Sequence, residues 1–153
     1  MNNFIFENST KVFFGKGCVK EYLSCWAGKF GERVLLAYGG CSIKKNGIYE
    51  EVTSILEKAG KTVIEFSGIM ANPTYEKVLE GAKIARENEV DWILGIGGGS
   101  VMDCCKAVSL AAISKKDIWK EYWAKPGIID FEPLPLGVIV TVAGTGLSLI
   151  HIS

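Results

Sequence analysis

Residues 93–106 read ILGIGGGSVMDCCK, an apolar run that ends in Gly97, Gly98 and Gly99 and is followed by Ser100. A short apolar run is typical of a strand buried in a parallel sheet. In such a sheet, ligands bind beyond the carboxyl ends of the strands, where glycines let the backbone approach and helix N-termini offer N–H groups to phosphate. The stretch therefore predicts a strand, a turn that binds a diphosphate, and a helix, with Ser100 as an added hydroxyl donor.

Two alternatives stay open within this stretch. The glycines either bind phosphate or serve only for close packing of the helix on the strand, although three in a row cost more backbone entropy than a simple turn requires. Asp103 and Lys106 either face the ligand or form an ordinary exposed i, i+3 pair that stabilises the helix slightly. The array is neither G-x-G-x-x-G nor a P-loop, because no Gly-Lys-Ser/Thr follows it.

The rest of the chain alternates strands and helices. Apolar runs predict strands at residues 33–38, 62–66, 92–96 and 137–142, and apolar residues at helical spacing predict helices at 18–30, 48–59, 75–88 and 100–113. This order predicts βαβ units, and therefore an α/β fold with a Rossmann-like parallel sheet flanked by helices. Segments 3–7 and 11–14, rich in Phe and β-branched residues, predict an N-terminal β-hairpin.

Local signals support two of these helix boundaries. Thr74 is predicted to cap the N-terminus of helix 75–88, and Gly60 is predicted to follow the C-terminus of helix 48–59. Asp117 is predicted to cap a short turn. The residues of helix 75–88 expected to face a core are Val78, Leu79, Ala82, Ile84 and Ala85.

Composition narrows the class of function. The 153 residues are 48% hydrophobic and 22% charged, and 17 basic residues balance 17 acidic ones. This composition predicts a globular domain, and the neutral charge argues against nucleic acid or an anionic membrane as a partner. The first 17 residues do not resemble a signal peptide, and the apolar run at 134–143 is too short to span a bilayer, so we expect a cytoplasmic protein. Five cysteines without C-x-x-C spacing predict reduced thiols rather than disulfides or a zinc site.

A second glycine turn, Gly39-Gly40-Cys41-Ser42, follows strand 33–38. An acidic residue in such a turn of a dinucleotide site accepts a hydrogen bond from the adenosine 2′-hydroxyl. This turn has no acid, and Ser42, Lys44 and Lys45 suit a 2′-phosphate instead. The pattern favours NADP(H) over NAD(H), with a solvated basic helix start as the alternative explanation of the lysines.

The array GIGGGSVMDCCK, with YGGCSIKKNGIYEEV upstream, ANPTYEKV between them and TVAGTG downstream, resembles the iron-containing (group III) alcohol dehydrogenases, most closely their NADPH-dependent butanol dehydrogenase branch. The resemblance covers about residues 3–146. It implies a dinucleotide-binding domain followed by a helical domain that carries iron or zinc, and hydride transfer between NADP(H) and an alcohol/aldehyde pair. The residues it implies in cofactor binding are Gly39, Gly40, Ser42, Pro73, Gly97, Gly98, Gly99, Ser100, Asp103, Lys106, Thr141, Thr145 and Gly146.

The sequence departs from the family after Gly146, where the family continues with Ser-Glu. Residues 147–153, LSLIHIS, match nothing expected. We therefore expect residues 1–146 to form the dinucleotide-binding domain and residues 147–153 to be a non-native tail. The family's metal ligands, an aspartate and three histidines, belong to the second domain, and His151 is the only histidine in this chain. No catalytic residue or metal ligand is therefore expected here.

These features predict the cofactor-binding half of an alcohol dehydrogenase, inactive by itself. The resemblance also allows a homodimer formed through the N-terminal hairpin. A glycerol dehydrogenase-like or dehydroquinate synthase-like fragment, and a nucleotide-binding module without catalysis, are the alternatives.

Overall fold

The computed structural model describes residues 10–40, 42–114, 117–120 and 131–141. Within these ranges, strands and helices alternate as predicted. The elements are α1 (Cys18–Ala27), β1 (Arg33–Tyr38), α2 (Ser42–Lys45), α3 (Ile48–Lys58), β2 (Thr62–Phe66), α4 (Tyr75–Glu87), β3 (Trp92–Gly97), α5 (Gly99–Ile113) and β4 (Leu136–Val140).

The four strands form one parallel sheet in the order β2-β1-β3-β4. The two central strands are the most buried, since every residue of β3 and all of β1 except Arg33 are shielded from solvent. Their register places Leu35 beside Ile93 and Tyr38 beside Ile96. This burial explains why both strands read as unbroken apolar runs rather than alternating ones, and the α/β prediction is confirmed.

Helices cover both faces of the sheet. Helices α4 and α5 pack on one face, where Phe66, Ile93 and Val108 are among the buried residues. Helices α1 and α3 pack on the other face, around a core that includes Leu36, Leu56 and Trp92. The sheet is therefore the middle layer of three.

The predicted helix ends are largely confirmed. The Thr74 hydroxyl accepts a hydrogen bond from the Lys77 N–H at 3.3 Å, and Gly60 has a φ of 72°. Asp117 Oδ1 accepts from the Trp119 N–H at 3.0 Å, as a cap should. Side-chain oxygens thus accept hydrogen bonds from backbone N–H groups where these elements begin, and a glycine with positive φ lets the chain turn away where α3 ends.

The prediction of an N-terminal hairpin is wrong for its second strand, residues 11–14. Its first strand, residues 3–7, lies outside the described residues. Residues 11–14 lie in none of the strands of the described residues. The Val12 and Phe14 side chains are 80% and 97% exposed, whereas Phe13 stacks on Tyr22 with ring centroids 4.9 Å apart. High β-propensity alone does not make a strand, because packing against neighbouring residues decides whether it forms.

Two further predictions need correction. Leu79 was expected in the core but is 45% exposed, since the buried face of α4 runs through Val78, Ala82 and Ala85 instead. The first helix ends at Ala27 rather than at residue 30. Phe30 lies outside the helix, but its side chain still packs on the core, with its ring centroid 5.5 Å from that of Trp92.

Candidate functional site

Both glycine turns lie at the point where the chain changes direction across the sheet. The connection from β1 leads to β2 on one side, and the connection from β2 crosses to β3 on the other side of β1. The carboxyl ends of β1 and β3 therefore flank a crevice, and ligands of open α/β sheets bind at such a switch point. The Gly39–Gly40 turn and the Gly97–Gly98 turn stand on its two sides.

The glycines after β3 have different reasons to be glycine. A Cβ atom placed on Gly97 would lie 2.5 Å from Val101 Cγ2, so the packing of α5 on the sheet excludes a side chain there. Gly98 has a φ of −98°, which any residue adopts, and no atom of the described residues comes within 4 Å of a Cβ placed on it. The packing interpretation is right for Gly97, whereas nothing within the described chain requires glycine at 98.

The turn after β1 shows the same division. A Cβ atom on Gly39 would lie 3.0 Å from the Ile69 carbonyl oxygen, so a neighbouring loop restricts that position. A Cβ on Gly40 would meet none of the described residues within 4 Å. Gly40 and Gly98 thus leave open space on either side of the crevice, as expected where a ligand approaches the backbone closely.

The N-terminus of α5 is suited to an anion. This helix begins at Gly99 and runs for 15 residues, with no acidic residue in its first turn and no side-chain cap on Gly98. Its first N–H groups and the positive end of its dipole are therefore directed at the crevice. Ser100 lies in this first turn and is half-buried. Its Oγ accepts a hydrogen bond from the Asn72 N–H at 3.3 Å, which leaves its own hydrogen available for donation.

The loop between β2 and α4 joins the two glycine turns. The Gly68 N–H donates to the Gly39 carbonyl at 2.9 Å, and the Asn72 contact reaches Ser100. Sequence reasoning missed this connection, although Asn72, with a φ of 52°, is the type of residue that favours such a conformation. Pro73, the next residue, is half-buried beside it.

The remaining predicted residues are placed as follows. Thr141 lies at the same edge of the sheet, because its N–H donates to the Gly97 carbonyl at 3.1 Å. Asp103 is exposed and Lys106 is half-buried on α5. Ser42 is exposed at the start of α2. Thr145 and Gly146 lie outside the described residues, as does Cys41.

A polar cluster beside the Gly39–Gly40 turn was also missed. The Glu65 carboxylate on β2 accepts hydrogen bonds from the hydroxyls of Tyr38, at 2.7 Å, and Tyr49. Lys44 Nζ lies 4.0 Å from the same carboxylate and faces both rings, 5.5 Å from the centroid of Tyr38 and 4.5 Å from that of Tyr49. We call these four residues the Glu65 cluster. An acidic residue, Glu65, therefore does lie near the end of β1, but it belongs to the neighbouring strand and is already hydrogen-bonded to the two tyrosines.

Hydrogen bonding shifts the titration of this cluster. The bonds from Tyr49 and Tyr38 lower the pKa of Glu65 because they favour the charged carboxylate. The same bond, followed by burial, raises the pKa of Tyr49 to about 12. These shifts favour the carboxylate form of Glu65 and the neutral phenol of Tyr49 near neutral pH.

The cysteines of α5 are placed for packing rather than chemistry. Burial raises the pKa of the Cys104 thiol to about 11 and raises that of Cys105 further. Cys18, Cys25, Cys104 and Cys105 are all free thiols. The described part of the chain contains no group of three His, Cys, Asp or Glu side chains that could hold a metal ion. None of its helices is long and apolar enough to cross a membrane.

A separate cavity of about 690 Å³ lies between α4 and the C-terminal end of α5. Arg86 lines it, and its guanidinium donates to the Ala112 carbonyl at 3.1 Å and to that of Ala111. Tyr75 and Asp117, joined by a 2.8 Å hydrogen bond, form another part of its wall. This cavity is built around a helix C-terminus and is distinct from the glycine turns.

Comparison with known proteins agrees with this geometry. The chain is 42% identical over 146 residues to a protein of Bacillus subtilis described as probable NADH-dependent butanol dehydrogenase 2, covering 95% of this chain and 37% of that protein. It is 36% identical over 150 residues to the NADPH-dependent aldehyde reductase YqhD of Escherichia coli, with 95% and 37% coverage. The chain thus spans well under half the length of these relatives.

A solved structure shares the fold. The crystal structure of NADH-dependent butanol dehydrogenase A from Thermotoga maritima superposes with a TM-score of 0.83 at 39% identity, covering 94% of this chain and 36% of that one. Residues 9–153 match the family described as iron-containing alcohol dehydrogenase. This chain therefore belongs to the iron-containing alcohol dehydrogenase family.

Proposed function

We propose that the crevice between β1 and β3 binds a nicotinamide dinucleotide. The diphosphate lies against the turn of Gly97, Gly98 and Gly99 and the start of α5, with the Ser100 hydroxyl as a further donor. The adenosine end lies against Gly39, Gly40 and Ser42, with Pro73 near the adenine. Thr141, Thr145 and Gly146 lie along the cofactor, and Asp103 and Lys106 face it from α5.

The open space at Gly40 and Gly98 carries this proposal. Neither residue has a positive φ of the kind that demands glycine, and no described neighbour fills the place of a side chain. A ligand that lies against the backbone at both turns would explain why both positions lack a side chain. The two turns stand at adjacent strands, as a molecule with a phosphate-linked pair of nucleotides requires.

Titration calorimetry on the 153-residue chain tests the proposal. We expect NADPH or NADH to bind and ATP to bind more weakly, because ATP occupies only one side of the crevice. A preference for ATP would favour the alternative of a nucleotide-binding module without catalysis. Absence of binding by all three ligands would contradict the proposal.

We further propose that the cofactor is NADP(H) in preference to NAD(H). The turn after β1 offers no acid for a 2′-hydroxyl, and Ser42 and Lys45 are exposed beside it. The relatives carry both cofactor names, so the preference depends on this chain's own residues. Dissociation constants for NADPH and NADH measured under one condition test it, and tighter binding of NADH would contradict it.

The reaction we propose for the whole protein is hydride transfer between NADP(H) and an alcohol/aldehyde pair of the butanol/butanal type. A divalent iron or zinc ion, when bound, would polarise the substrate oxygen as a Lewis acid. Residues 1–146 would be the cofactor-binding domain and residues 147–153 a non-native tail, with the metal ligands in a second domain. The role of this chain is to bind and orient the dinucleotide.

An activity assay on the isolated chain tests whether the cofactor-binding domain and the metal site lie in different domains. We expect no butanal reduction with NADPH and added Fe²⁺ or Zn²⁺, even where NADPH binds. Turnover by the purified 153-residue chain would contradict the assignment of the metal site to a second domain. A glycerol dehydrogenase-like or dehydroquinate synthase-like protein stays an alternative, and it is tested by the substrates that the longer protein accepts.

We also propose that the protein is cytoplasmic and forms a homodimer through its N-terminal segment. The exposed Val12 and Phe14 side chains and the Phe13–Tyr22 stack give this segment an apolar surface. Sedimentation analysis of the chain and of Phe14→Asp tests the second part. A monomer in both cases would contradict it.

A further inference from the structure

The Glu65 cluster lies directly next to the turn to which we assign the adenosine end. Tyr38 is the last residue of β1 and precedes Gly39, while Lys44 is the third residue of α2. Both side chains contact the Glu65 carboxylate, which lies on neighbouring β2. One carboxylate therefore touches side chains on both sides of the glycine turn.

The contact between Lys44 and Glu65 is weak enough to exchange. Its Nζ–Oε2 distance of 4.0 Å is at the limit of an ion pair, and each side chain is 45% exposed. Ion pairs of this kind contribute little to stability. The two tyrosine rings keep the ammonium near the turn even when the pair is broken.

We propose that Glu65 is a positioning residue that sets the choice of dinucleotide through Lys44. With a 2′-hydroxyl in the site, Lys44 stays with the Glu65 carboxylate. With a 2′-phosphate, which carries about −1.5 to −2 charges against −1 for the carboxylate, Lys44 moves to the phosphate. The inference rests on the proposed dinucleotide site and names the residue that regulates its selectivity.

The variant Glu65→Gln tests the role of the negative charge that pairs with Lys44. The amide oxygen still accepts a hydrogen bond from a tyrosine, but the negative charge is gone, so Lys44 no longer has to leave an ion pair. We expect NADPH to bind about threefold more tightly, the order of a half-exposed ion pair, and NADH to change by less than twofold. The gain should shrink in high salt, because ions screen exposed charges.

The variant Lys44→Met tests the other partner. It keeps an unbranched side chain between the two rings and removes the charge. NADPH affinity should fall about tenfold, as for loss of a charge-assisted hydrogen bond, while NADH affinity stays within twofold. In the Lys44→Met background, Glu65→Gln should add nothing to the NADPH/NADH ratio, because it acts through Lys44.

The Lys83–Glu87 pair on α4 supplies the matched control. It is also exposed, with an Nζ–Oε1 distance of 3.8 Å, and lies outside the cluster. Glu87→Gln should leave both dissociation constants unchanged. A ratio that responds equally to Glu87→Gln would show a general charge effect and overturn the inference.

The remaining outcomes separate the inference from the proposed function. If both cofactors bind to the wild-type chain but neither cluster variant changes their ratio, the inference is wrong and the site stands. Equal weakening of both cofactors by Glu65→Gln would make Glu65 a structural support only. If the wild-type chain binds no dinucleotide, the proposed function fails and the inference with it. Should Glu65→Gln unfold, as far-ultraviolet circular dichroism would show, Glu65→Asp takes its place. Its shorter side chain draws the carboxylate away from Lys44 and should also raise the NADPH/NADH ratio, and an unchanged ratio in folded Glu65→Asp would overturn the inference.

Discussion

The two glycine turns lie at adjacent strands of one sheet, yet different forces hold them. The turn after β3 leads into α5, a helix of 15 residues packed so closely that a side chain at Gly97 would collide with Val101. The turn after β1 leads into α2, a helix of four residues with one buried side chain, that of Ile43. Polar contacts hold that second turn in place, namely those of the Glu65 cluster and the bond from the Gly68 N–H to the Gly39 carbonyl.

This contrast suggests a division of labour. A turn fixed by close packing cannot adjust, so its N–H groups offer a rigid site for the diphosphate that every dinucleotide shares. A turn held by half-exposed polar contacts can exchange partners at low cost. We infer that the β3 turn supplies affinity and the β1 turn supplies selectivity.

The largest effect is expected from filling the space at Gly98. The variant Gly98→Val places a branched side chain where the diphosphate would lie, at a φ of −98°, which residues other than glycine also adopt. We expect binding of NADPH and of NADH to weaken about 100-fold each, or ~2.7 kcal/mol. Calorimetric titration of both cofactors measures the loss.

Stability is the control for this variant. Because no described atom lies within 4 Å of the added Cβ, the thermal midpoint of Gly98→Val should equal that of wild type within about 2 °C. Unchanged cofactor binding in the folded variant would remove the main support for the diphosphate site.

The neighbouring glycine should respond in the opposite way. In Gly97→Ala the added methyl group would lie 2.5 Å from Val101 Cγ2, so α5 or its side chains must shift. Overpacking of this kind costs about 1–3 kcal/mol of stability, measured as the free energy of unfolding in urea. If Gly97→Ala were as stable as wild type, the packing reason for this glycine would be wrong.

Gly40→Val probes the open position of the other turn and should have a smaller effect. This turn contacts only the adenosine end, and its polar supports can yield, so we expect about a tenfold loss of NADPH binding, or ~1.4 kcal/mol. A loss as large as that of Gly98→Val would contradict the division between a rigid and an adjustable turn. Stability should stay near that of wild type.

The sequence predicts the central sheet better than its surroundings. Strands at 33–38 and 62–66 have the predicted bounds, because a short apolar run between turn residues has few other places in an α/β fold. Residues 11–14 have equally strong β-propensity and form no strand. Strand formation requires a partner, and a single segment of sequence does not contain that information.

The candidate site divides in the same way. The glycines of each turn are contiguous in sequence and could be found as a pattern. The contacts that orient it are not: Tyr38 meets Glu65 across 27 residues, and Asn72 meets Ser100 across 28. Glu65 reads in the sequence as an ordinary exposed residue of a strand, and only the register of β1 with β2 brings it to the turn.

The smallest effect is expected from Tyr49→Phe, which tests whether polar or apolar contacts support the turn after β1. Tyr49→Phe removes the hydroxyl that donates to Glu65 and that contributes most to its lowered pKa. A lowered pKa in the folded state stabilises the protein above the ordinary value of 4.5 and loses that contribution as pH falls through the folded value. We expect the variant to be less stable than wild type by about 0.5–1 kcal/mol at pH 7, and the difference to shrink toward pH 3.

Urea unfolding at several pH values measures this difference, with Glu65→Gln as the background that isolates its cause. In that background no carboxylate titrates, so the effect of Tyr49→Phe should be the same at pH 7 and pH 3. A pH-independent loss in the wild-type background as well would mean that Tyr49 supports the turn through the packing of its ring on Tyr38, 5.8 Å away, and not through the carboxylate. The β1 turn would then be held as the β3 turn is, by contact, and the proposed exchange of Lys44 would lack the polar framework on which it depends.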